Sequence, residues 1–376
     1  MDVLLVSPVF LPHRSGAVTL VCRLAESLKE EGHNVEILAA YPRRSGTSLY
    51  KGIRVRHAFS ISPGTTYAFS PTLVATLRKR RFDVVHAFDY QSFPCHFIAL
   101  SKFIFHSEIP FCFSPQYHPI GGTAFRSGMR SVLKYFANFV FQQSDKIICL
   151  SNHERLSMLE NLDVQKEKID VVPLGLDLDD KRIPAARQRT GSLRLLYVGR
   201  LERYKGVQLI LWALSRLEEK DVELSVVGYG TFADELRRLA NRLDLGRRVT
   251  FLGRIDDTKL DQVYRDCDVL VSPSMFESFG MTFLEAMSHG KAVISTDVGV
   301  MYDICLYNEL QRHLALTMPP TSQELMEKIR LVIESRDLID EICRRNLDLL
   351  NTRYTWKRVC ESMIRIYASL IEGGAA

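Results

Sequence analysis

The chain has 376 residues, about two and a half times the size of a typical domain, which favours two domains and excludes a single small module. Hydrophobic residues make up 46% and charged residues 25% of the sequence, a balance that excludes collagen-like, coiled-coil and disordered chains. Forty-nine Lys and Arg residues against 44 Asp and Glu residues give a net charge of +5. This mild excess fits an anionic substrate or a lipid surface. Without an RNP, zinc-finger or basic-zipper pattern it does not indicate a nucleic-acid partner.

The cysteine pattern favours a reducing compartment. Eight cysteines are scattered along the chain without a CxxC pair or a Cys/His cluster, so neither a metal site nor a disulfide framework is indicated. The N-terminus has only a six-residue apolar run after Met1, too short for a signal peptide. The longest apolar stretch, residues 93–113, is interrupted by charged and His residues, unlike a membrane span. We therefore expect a cytoplasmic protein, soluble or peripheral to a membrane.

The first half of the sequence alternates short apolar runs with helical patterns. The run Asp2–Ser7 is followed by a Pro/Gly loop and by a helical pattern that ends at Gly32. Helical patterns also cover residues 71–80 and 125–142. Further strands are predicted at residues 35–39, 53–57, 83–87, 110–114, 146–150 and 169–172. The alternation predicts an α/β fold with a doubly wound parallel sheet.

The second half repeats this architecture after a polar segment. Residues 179–192 are polar and charged and carry Pro184 and Gly191, as expected of a linker. Strands are then predicted at residues 193–198, 223–227, 249–252, 268–272 and 292–295. The predicted division is an N-terminal domain 1–178, a linker 179–192, a C-terminal domain 193–354 and a helix within 355–376 that crosses back to the first domain.

In an open parallel sheet, ligands bind beyond the carboxyl ends of the strands, where helix N-termini favour anions. The strongest signal there is residues 272–290, in which Glu277 and Glu285 stand eight positions apart around a helix that starts near Gly280. The backbone N–H groups of Phe279, Gly280 and Met281 form an anion cradle between the two acids. Carboxylates suit vicinal hydroxyls, so the combination suggests a sugar nucleotide. The alternative is that both acids are ordinary surface charges.

A second signal is the stretch YVGRLERYKG at residues 197–206, which predicts a strand, a glycine turn and a helix start. Arg200 and Lys205 place two cations in that turn, matching a diphosphate that could leave without help from a metal ion. The alternative is a solvated basic turn paired with Glu202.

These two segments, with SPVFLPHRSGA, GHNVEIL, DVVHAF, DKIICLS, VVPLGLD, VVGYG and VTFLG, extend nearly from end to end of the chain. Together they resemble the large family of retaining glycosyltransferases of GT-B fold that includes sucrose synthase and phosphatidylinositol mannosyltransferases. The Glu-x7-Glu segment with its flanks is the specific part. The resemblance implies two Rossmann-like doubly wound domains that face each other across a cleft, with the donor mainly on the second domain and the acceptor on the first.

The resemblance also implies roles for residues of the second domain. Arg200 and Lys205 would hold the donor diphosphate, and Glu285 would accept the ribose hydroxyls. Glu277 and the three cradle amides would hold the transferred sugar and the distal phosphate. The nucleobase would pack near Arg254 and Ile255, after the VTFLG strand.

In the first domain the resemblance implies that Gly16 lets the backbone approach the donor. The family double glycine is Ser15–Gly16 here, a tolerable change if only Gly16 needs unusual backbone angles. The family histidine that contacts the sugar has two candidates, Gln116 at the usual position and His118 two residues later, and His118 is the preferred one. After Asp297 the usual Gly-Gly-x-Pro-Glu loop is replaced by VGVMYDI.

Three weaker patterns have competing explanations. Residues 228–233 fit a G-x-G-x-x-A dinucleotide pattern, but they follow the second strand of their domain and no acid stands at the expected distance. Asp266 and Asp268 resemble a metal-binding DxD, although Asp268 is expected to cap a strand. His86, at a strand end, is either a site candidate or a core residue.

The expected function is retaining transfer of a hexose from a UDP- or GDP-linked sugar to a lipid-linked or saccharide acceptor, without metal or other cofactor. A nucleotide-dependent oxidoreductase and a non-catalytic subunit that binds sugar nucleotides are the alternatives. Basic residues at 78–81 and among apolar residues at 126–141 make contact with the inner face of a membrane a further possibility, against a plain solvated helix face.

Overall fold

The computed structural model of the protein describes residues 1–11, 16–42, 45–60, 82–90, 92–105, 108–117, 130–177, 192–219 and 221–373. The chain divides into two compact units. The first unit comprises residues 1–175 and 356–376, and the second comprises residues 176–355. The helical pattern predicted at 71–80 and the linker residues 179–191 lie outside the described residues.

The first unit is built on a largely parallel sheet. Its strands are β1 (Asp2–Ser7), β2 (Asn34–Pro42), β3 (Gly46–Tyr50), β4 (Ile53–Ser60), β5 (Val84–Phe88), β6 (Phe111–Ser114), β7 (Lys146–Cys149) and β8 (Ile169–Val171). Its first helices are α1 (Gly16–Glu30), α2 (Phe93–Phe105), α3 (Arg130–Gln143) and α4 (Asn152–Asn161). The strand order is β3-β4-β2-β1-β5-β6-β7-β8. The residues of β1 from Val3 to Val6 are fully buried, as expected of a central parallel strand covered on both faces.

The second unit has a parallel sheet of the order β11-β10-β9-β12-β13-β14. Its strands are β9 (Leu193–Val198), β10 (Val222–Val227), β11 (Val249–Gly253), β12 (Val269–Ser272), β13 (Ala292–Thr296) and β14 (Ala315–Leu316). Its helices are α5 (Val207–Arg216), α6 (Ala233–Arg242), α7 (Asp257–Asp266), α8 (Met281–Ser288), α9 (Val300–Tyr307), α10 (Ser322–Glu334) and α11 (Arg336–Arg353). Aliphatic side chains from the sheet and from α5 and α10 form the core of this unit.

One strand of the first sheet has no counterpart among the predicted elements. β3 pairs with β4 in the antiparallel direction, and the hairpin turns at Lys51 and Gly52, which both have positive φ. Such a two-residue turn favours a tight hairpin. β3 is an exposed edge strand, so its sequence GTSLY has neither an apolar run nor an alternation of apolar and polar residues from which a strand could be predicted.

The last helix, α12 (Trp356–Gly373), packs against α1 within the first unit. Its Tyr367 hydroxyl lies 2.6 Å from Nδ1 of His86, and Ser114 Oγ lies 2.8 Å from Nε2 of the same ring. Burial lowers the pKa of His86 to about 3, so the ring is neutral and its two nitrogens share one donor and one acceptor role. His86 is therefore a core residue with both nitrogens satisfied. Within the described residues, no helix is long and apolar enough to cross a membrane.

Candidate active site

The turn after β9 carries the two predicted phosphate-binding cations. A short 3-10 helix covers Arg203–Lys205, and Gly206 then caps α5 with a φ of 77°. A Cβ atom at Gly206 would lie 2.1 Å from the carbonyl oxygen of Pro273, so only glycine fits against the loop that follows β12. Met275 N also donates to Tyr204 O at 2.8 Å. The turn is thus fixed directly against the segment that contains Glu277.

The loop after β10 approaches the same turn from the other side. A Cβ atom at Gly228, where φ is 139°, would lie 1.8 Å from Gly199 O, and one at Gly230 would lie 2.3 Å from Leu201 O. Leu201 N donates to Tyr229 O at 2.9 Å. These contacts explain both glycines of the G-x-G-x-x-A pattern by close packing between two loops. A bound dinucleotide is not needed to account for them.

Lys205 and Glu277, which are 72 positions apart in sequence, meet in this site. Lys205 Nζ donates to Glu277 Oε1 at 2.7 Å, and only 11% and 16% of the two side chains are exposed. Low exposure strengthens the attraction between the charges, because water screens them less. A cation and a carboxylate are therefore held side by side at the edge of the sheet.

Arg200, the other predicted cation, is exposed, and its Nη2 donates to the Tyr204 hydroxyl at 2.7 Å. The backbone of Arg200 is fixed by Tyr197, whose hydroxyl donates to Arg200 O at 2.8 Å. Burial, with the nearby charge of Glu277, raises the pKa of Tyr197, so its hydroxyl stays protonated as a donor. The guanidinium thus extends from a rigid turn while remaining accessible.

The amino end of α8 confirms the predicted helix start. Gly280 caps the helix in the left-handed region, with a φ of 92°. Phe279 and Met281 flank it, and N–H groups at the beginning of a helix have no acceptor within the helix. Phe279 O accepts from Val300 N at 2.7 Å, and a Cβ at Gly299 would lie 2.4 Å from that oxygen. The divergent loop after β13 therefore supports the cradle through its single glycine.

Glu285 lies one turn into α8 and is partly buried. Its Oε2 accepts from the hydroxyl of Tyr264, on α7, at 2.8 Å. Sequence reasoning missed Tyr264, because nothing near it in the sequence signals a partner on a different helix.

Arg254 and Ile255 follow β11, and Arg254 is exposed with its guanidinium 5.7 Å from the centre of the Tyr229 ring. Tyr229 stands in the neighbouring loop after β10 and was not a predicted site residue. Together, all the predicted residues of the second unit lie beyond the carboxyl ends of β9, β11 and β12 or in the helix that follows β12. They occupy the edge where open parallel sheets bind ligands.

The predicted residues of the first unit are only partly described. His118 lies outside the described residues. Gln116 is described and has a φ of 49°, and the next amide, Tyr117 N, donates to Glu154 Oε1 at 2.6 Å. Gly16 begins α1 without a positive φ and with open space where its Cβ would be, so the unusual backbone angles considered for it are not present.

The DxD pattern also has a structural explanation. Asp268 Oδ2 accepts from Arg194 N at 2.9 Å, and its Oδ1 lies 3.3 Å from Nη2 of the same arginine. Asp268 therefore ties the start of β12 to the neighbouring β9, as its predicted capping role implies.

Two parallel-sheet units, with a basic turn and a Glu-x7-Glu helix start on the second, define the class of GT-B glycosyltransferases. Residues 179–346 match the family described as glycosyl transferases group 1, and residues 14–180 match Glycosyltransferase Family 4. The two matches together span residues 14–346, so both halves of the chain carry glycosyltransferase domains, the second half that of the group 1 family. The predicted α/β fold of two Rossmann-like domains and the predicted resemblance to glycosyltransferases are confirmed, whereas retention of the anomeric configuration stays a prediction.

Similar proteins cover the full length of the chain. The phosphatidyl-myo-inositol mannosyltransferase of Mycobacterium tuberculosis is 27% identical over 100% of this chain and 98% of its own. The glycogen synthase of the same organism is 26% identical over 99% and 96%. The solved structure of Anabaena HepE in complex with UDP-glucose is similar with a TM-score of 0.75, at 19% identity, over 98% of this chain and 100% of that one.

Proposed function

We propose that the protein is a retaining hexosyltransferase that moves a hexose from a UDP- or GDP-linked sugar to a hydroxyl group of a lipid-linked or saccharide acceptor. The observation that carries this proposal is the 2.7 Å contact between Lys205 and Glu277 at the amino end of α8. It places a cation for a leaving diphosphate next to a carboxylate suited to sugar hydroxyls. The similarity to a protein solved with UDP-glucose supports the choice of donor class.

In the proposed reaction the bond between the anomeric carbon and the diphosphate breaks, and negative charge develops on the diphosphate. Lys205, Arg200 and the amino end of α8 stabilise that charge, because cations and helix N-termini both favour an anion. The acceptor hydroxyl then attacks the same face of the sugar, which retains the anomeric configuration. Since protein groups supply the positive charge, the proposal includes no metal ion or other cofactor.

A lipid and a saccharide are the two proposed classes of acceptor. The two curated relatives described above are named for these two kinds of acceptor, phosphatidyl-myo-inositol and glycogen. The described part of α2 ends in the exposed apolar side chains Phe103, Ile104 and Phe105, of which Phe103 is 56% exposed. Exposed apolar groups of this kind favour a lipid surface. We therefore propose that the protein contacts a membrane, and we propose the cytoplasm, with the inner face of its membrane, as the place of that contact.

A thermal-shift screen against UDP, GDP, ADP, their sugar conjugates, NAD and NADP tests the donor class. A ligand at 100 times its dissociation constant raises the free energy of unfolding by about 2.7 kcal/mol, which is readily detected. We expect one nucleoside diphosphate to raise the melting temperature, and Arg200→Ala to abolish the shift. Arg203→Ala, an exposed arginine in the same turn, is the matched control. A shift with NAD or NADP alone would refute the proposal.

A transfer assay with the selected donor tests catalysis itself. We expect Glu277→Gln to lower kcat by about 100-fold or more, the order of magnitude found when one group that stabilises a transition state is removed. Donor binding without any transfer or hydrolysis by the wild-type protein would instead identify a non-catalytic binding subunit.

A further inference from the structure

We infer that Tyr264 is a positioning residue that holds the Glu285 carboxylate for recognition of the donor ribose. The inference rests on the proposed function, in which Glu285 accepts the ribose hydroxyls. Tyr264 comes from α7 and Glu285 from α8, and their contact is the 2.8 Å hydrogen bond from the phenol to Oε2. Tyr264 would act through Glu285 without touching the donor.

The phenol is a fixed donor. Tyr264 is 2% exposed, and a buried hydroxyl needs a partner because it has lost its hydrogen bonds to water. Burial, and then the charge of Glu285, raises the pKa of Tyr264 well above its usual value. The group therefore stays protonated and donates to the carboxylate, which can only accept.

The ring of Tyr264 is also fixed in position. It stacks on the ring of His289, with 5.2 Å between the ring centres and 21° between the planes. His289 is held at both nitrogens, with Nδ1 2.7 Å from Glu285 O and Nε2 2.9 Å from Asp261 Oδ1. The ring stack and the contact between His289 and Asp261 thus connect α7 to the end of α8.

A fixed rotamer of Glu285 should increase the affinity for the donor ribose. An unrestrained Glu side chain samples many rotamers. A ligand that binds only one of them must offset the entropy lost when that rotamer is fixed, so its affinity is lower. Tyr264 selects the rotamer before the donor arrives. A carboxylate offers about four lone-pair directions, so an oxygen that accepts from Tyr264 keeps capacity for a ribose hydroxyl. Ribose recognition should then depend on Tyr264, whereas phosphate recognition by Arg200 and Lys205 should not.

The test compares binding of UDP with that of 2′-deoxy-UDP and 3′-deoxy-UDP, or of the corresponding set for the base selected by the thermal-shift screen. Tyr264→Phe removes the hydroxyl and keeps the ring that stacks on His289. We expect it to weaken binding of the ribonucleotide about tenfold, typical of a lost hydrogen bond to a charged group. At least one deoxy analogue should bind the variant and the wild-type protein equally. The donor KM should rise in parallel, with kcat little changed.

Two further variants distinguish the possible outcomes. Tyr354→Phe is the matched control, because it removes the hydroxyl of another buried tyrosine of the second unit, near Asp303, and should leave all three affinities unchanged. Glu285→Gln tests the ribose role itself and should weaken the ribonucleotide selectively. If Glu285→Gln is selective but Tyr264→Phe binds like wild type, or weakens all three ligands equally, the positioning role is overturned while the ribose role stands. If Glu285→Gln weakens all three equally, the ribose role fails and the positioning role fails with it.

Discussion

The contact between Lys205 and Glu277 has two separable effects, one on stability and one on catalysis. Both side chains are mostly buried, so removal of either one leaves the other charge with little water and without its ion-pair partner. Removal of both relieves that cost. The pair therefore allows folding energy to be measured apart from activity, using the same two residues.

We expect Lys205→Met and Glu277→Gln to destabilise the protein individually and to compensate each other in the double variant. The coupling should be about 1–2 kcal/mol, because the pair is partly screened by solvent at its exposed edge. Urea unfolding of the four proteins measures it. Turnover should stay low in all three variants, including the double variant in which the losses of stability compensate each other. Additive losses of stability would show that the two charges do not interact, against the 2.7 Å distance between Lys205 Nζ and Glu277 Oε1.

At the scale of elements, the loops after β9 and β10 form the platform that carries Arg200. Their backbones meet at Gly199 and Gly228, where a Cβ on Gly228 would lie 1.8 Å from Gly199 O. Because φ at Gly228 is 139°, an L-residue there would also be strained. Both effects act on a rigid backbone that cannot move aside without moving the site.

We expect Gly228→Ala to lower the free energy of unfolding by at least about 2 kcal/mol, from overpacking together with backbone strain. The matched control is Gly246→Ala, where the added Cβ meets nothing within 4 Å and φ is not in the left-handed region. Chemical denaturation of both variants checks the difference. Equal stability of the two would mean that the loops separate easily, and the rigid platform inferred for Arg200 would be wrong.

How well an element could be predicted depended on its burial. β13, and β1 apart from the exposed Asp2 at its start, are buried and contain continuous apolar runs in the sequence, so their positions were predicted closely. β3 is exposed and polar, and it was missed. The helix start at Gly280 was predictable because a glycine at that junction adopts a positive φ.

The site residues that could be predicted are those with a local sequence signal. Lys205 and Glu277 were identified by local patterns and by resemblance, but their contact depends on packing between loops that are distant in sequence. Tyr264 has no local signature, since its role comes from Glu285, 21 positions away on another helix. Sequence patterns predicted the strand ends at which the candidate residues lie together. Contacts between elements determine which side chains support it.

At the scale of the whole molecule, two fully buried titratable groups of the first unit oppose each other in their effect on stability. Burial raises the pKa of Glu154 from 4.5 to about 7, although the N–H groups of Leu150 and Tyr117 both donate to it and partly offset the rise. Burial lowers the pKa of His86 from 6.5 to about 3. Each group is therefore neutral in the folded protein over a pH range in which it is charged in the unfolded chain.

The signs of the two contributions follow from proton linkage. Between pH 4.5 and 7 the folded state keeps a proton on Glu154 that the unfolded chain has lost, so stability falls as pH rises. Between pH 3 and 6.5 the unfolded chain carries a proton on His86 that the folded state excludes, so stability falls as pH decreases. From pH 4.5 to 6.5 the two slopes cancel. The combined contribution of these two groups to the free energy of unfolding should therefore be constant from pH 4.5 to 6.5. It should fall below pH 4.5 because of His86 and above pH 6.5 because of Glu154.

Glu154→Gln should remove the fall in stability with rising pH that Glu154 causes between pH 4.5 and 7. The amide does not titrate, so relative to wild type the variant should gain about 3 kcal/mol of stability between pH 4.5 and 7, whatever constant offset the substitution introduces. Urea unfolding of both proteins at half-unit pH steps measures the difference. Because local opening that exposes Glu154 also releases the amide of Tyr117, the protection factor of that amide in the wild type should rise as pH falls from 7 to 4.5. If the two stability curves run parallel from pH 4.5 to 7, Glu154 is ionised in the folded protein throughout that range, and the burial argument for its raised pKa is wrong.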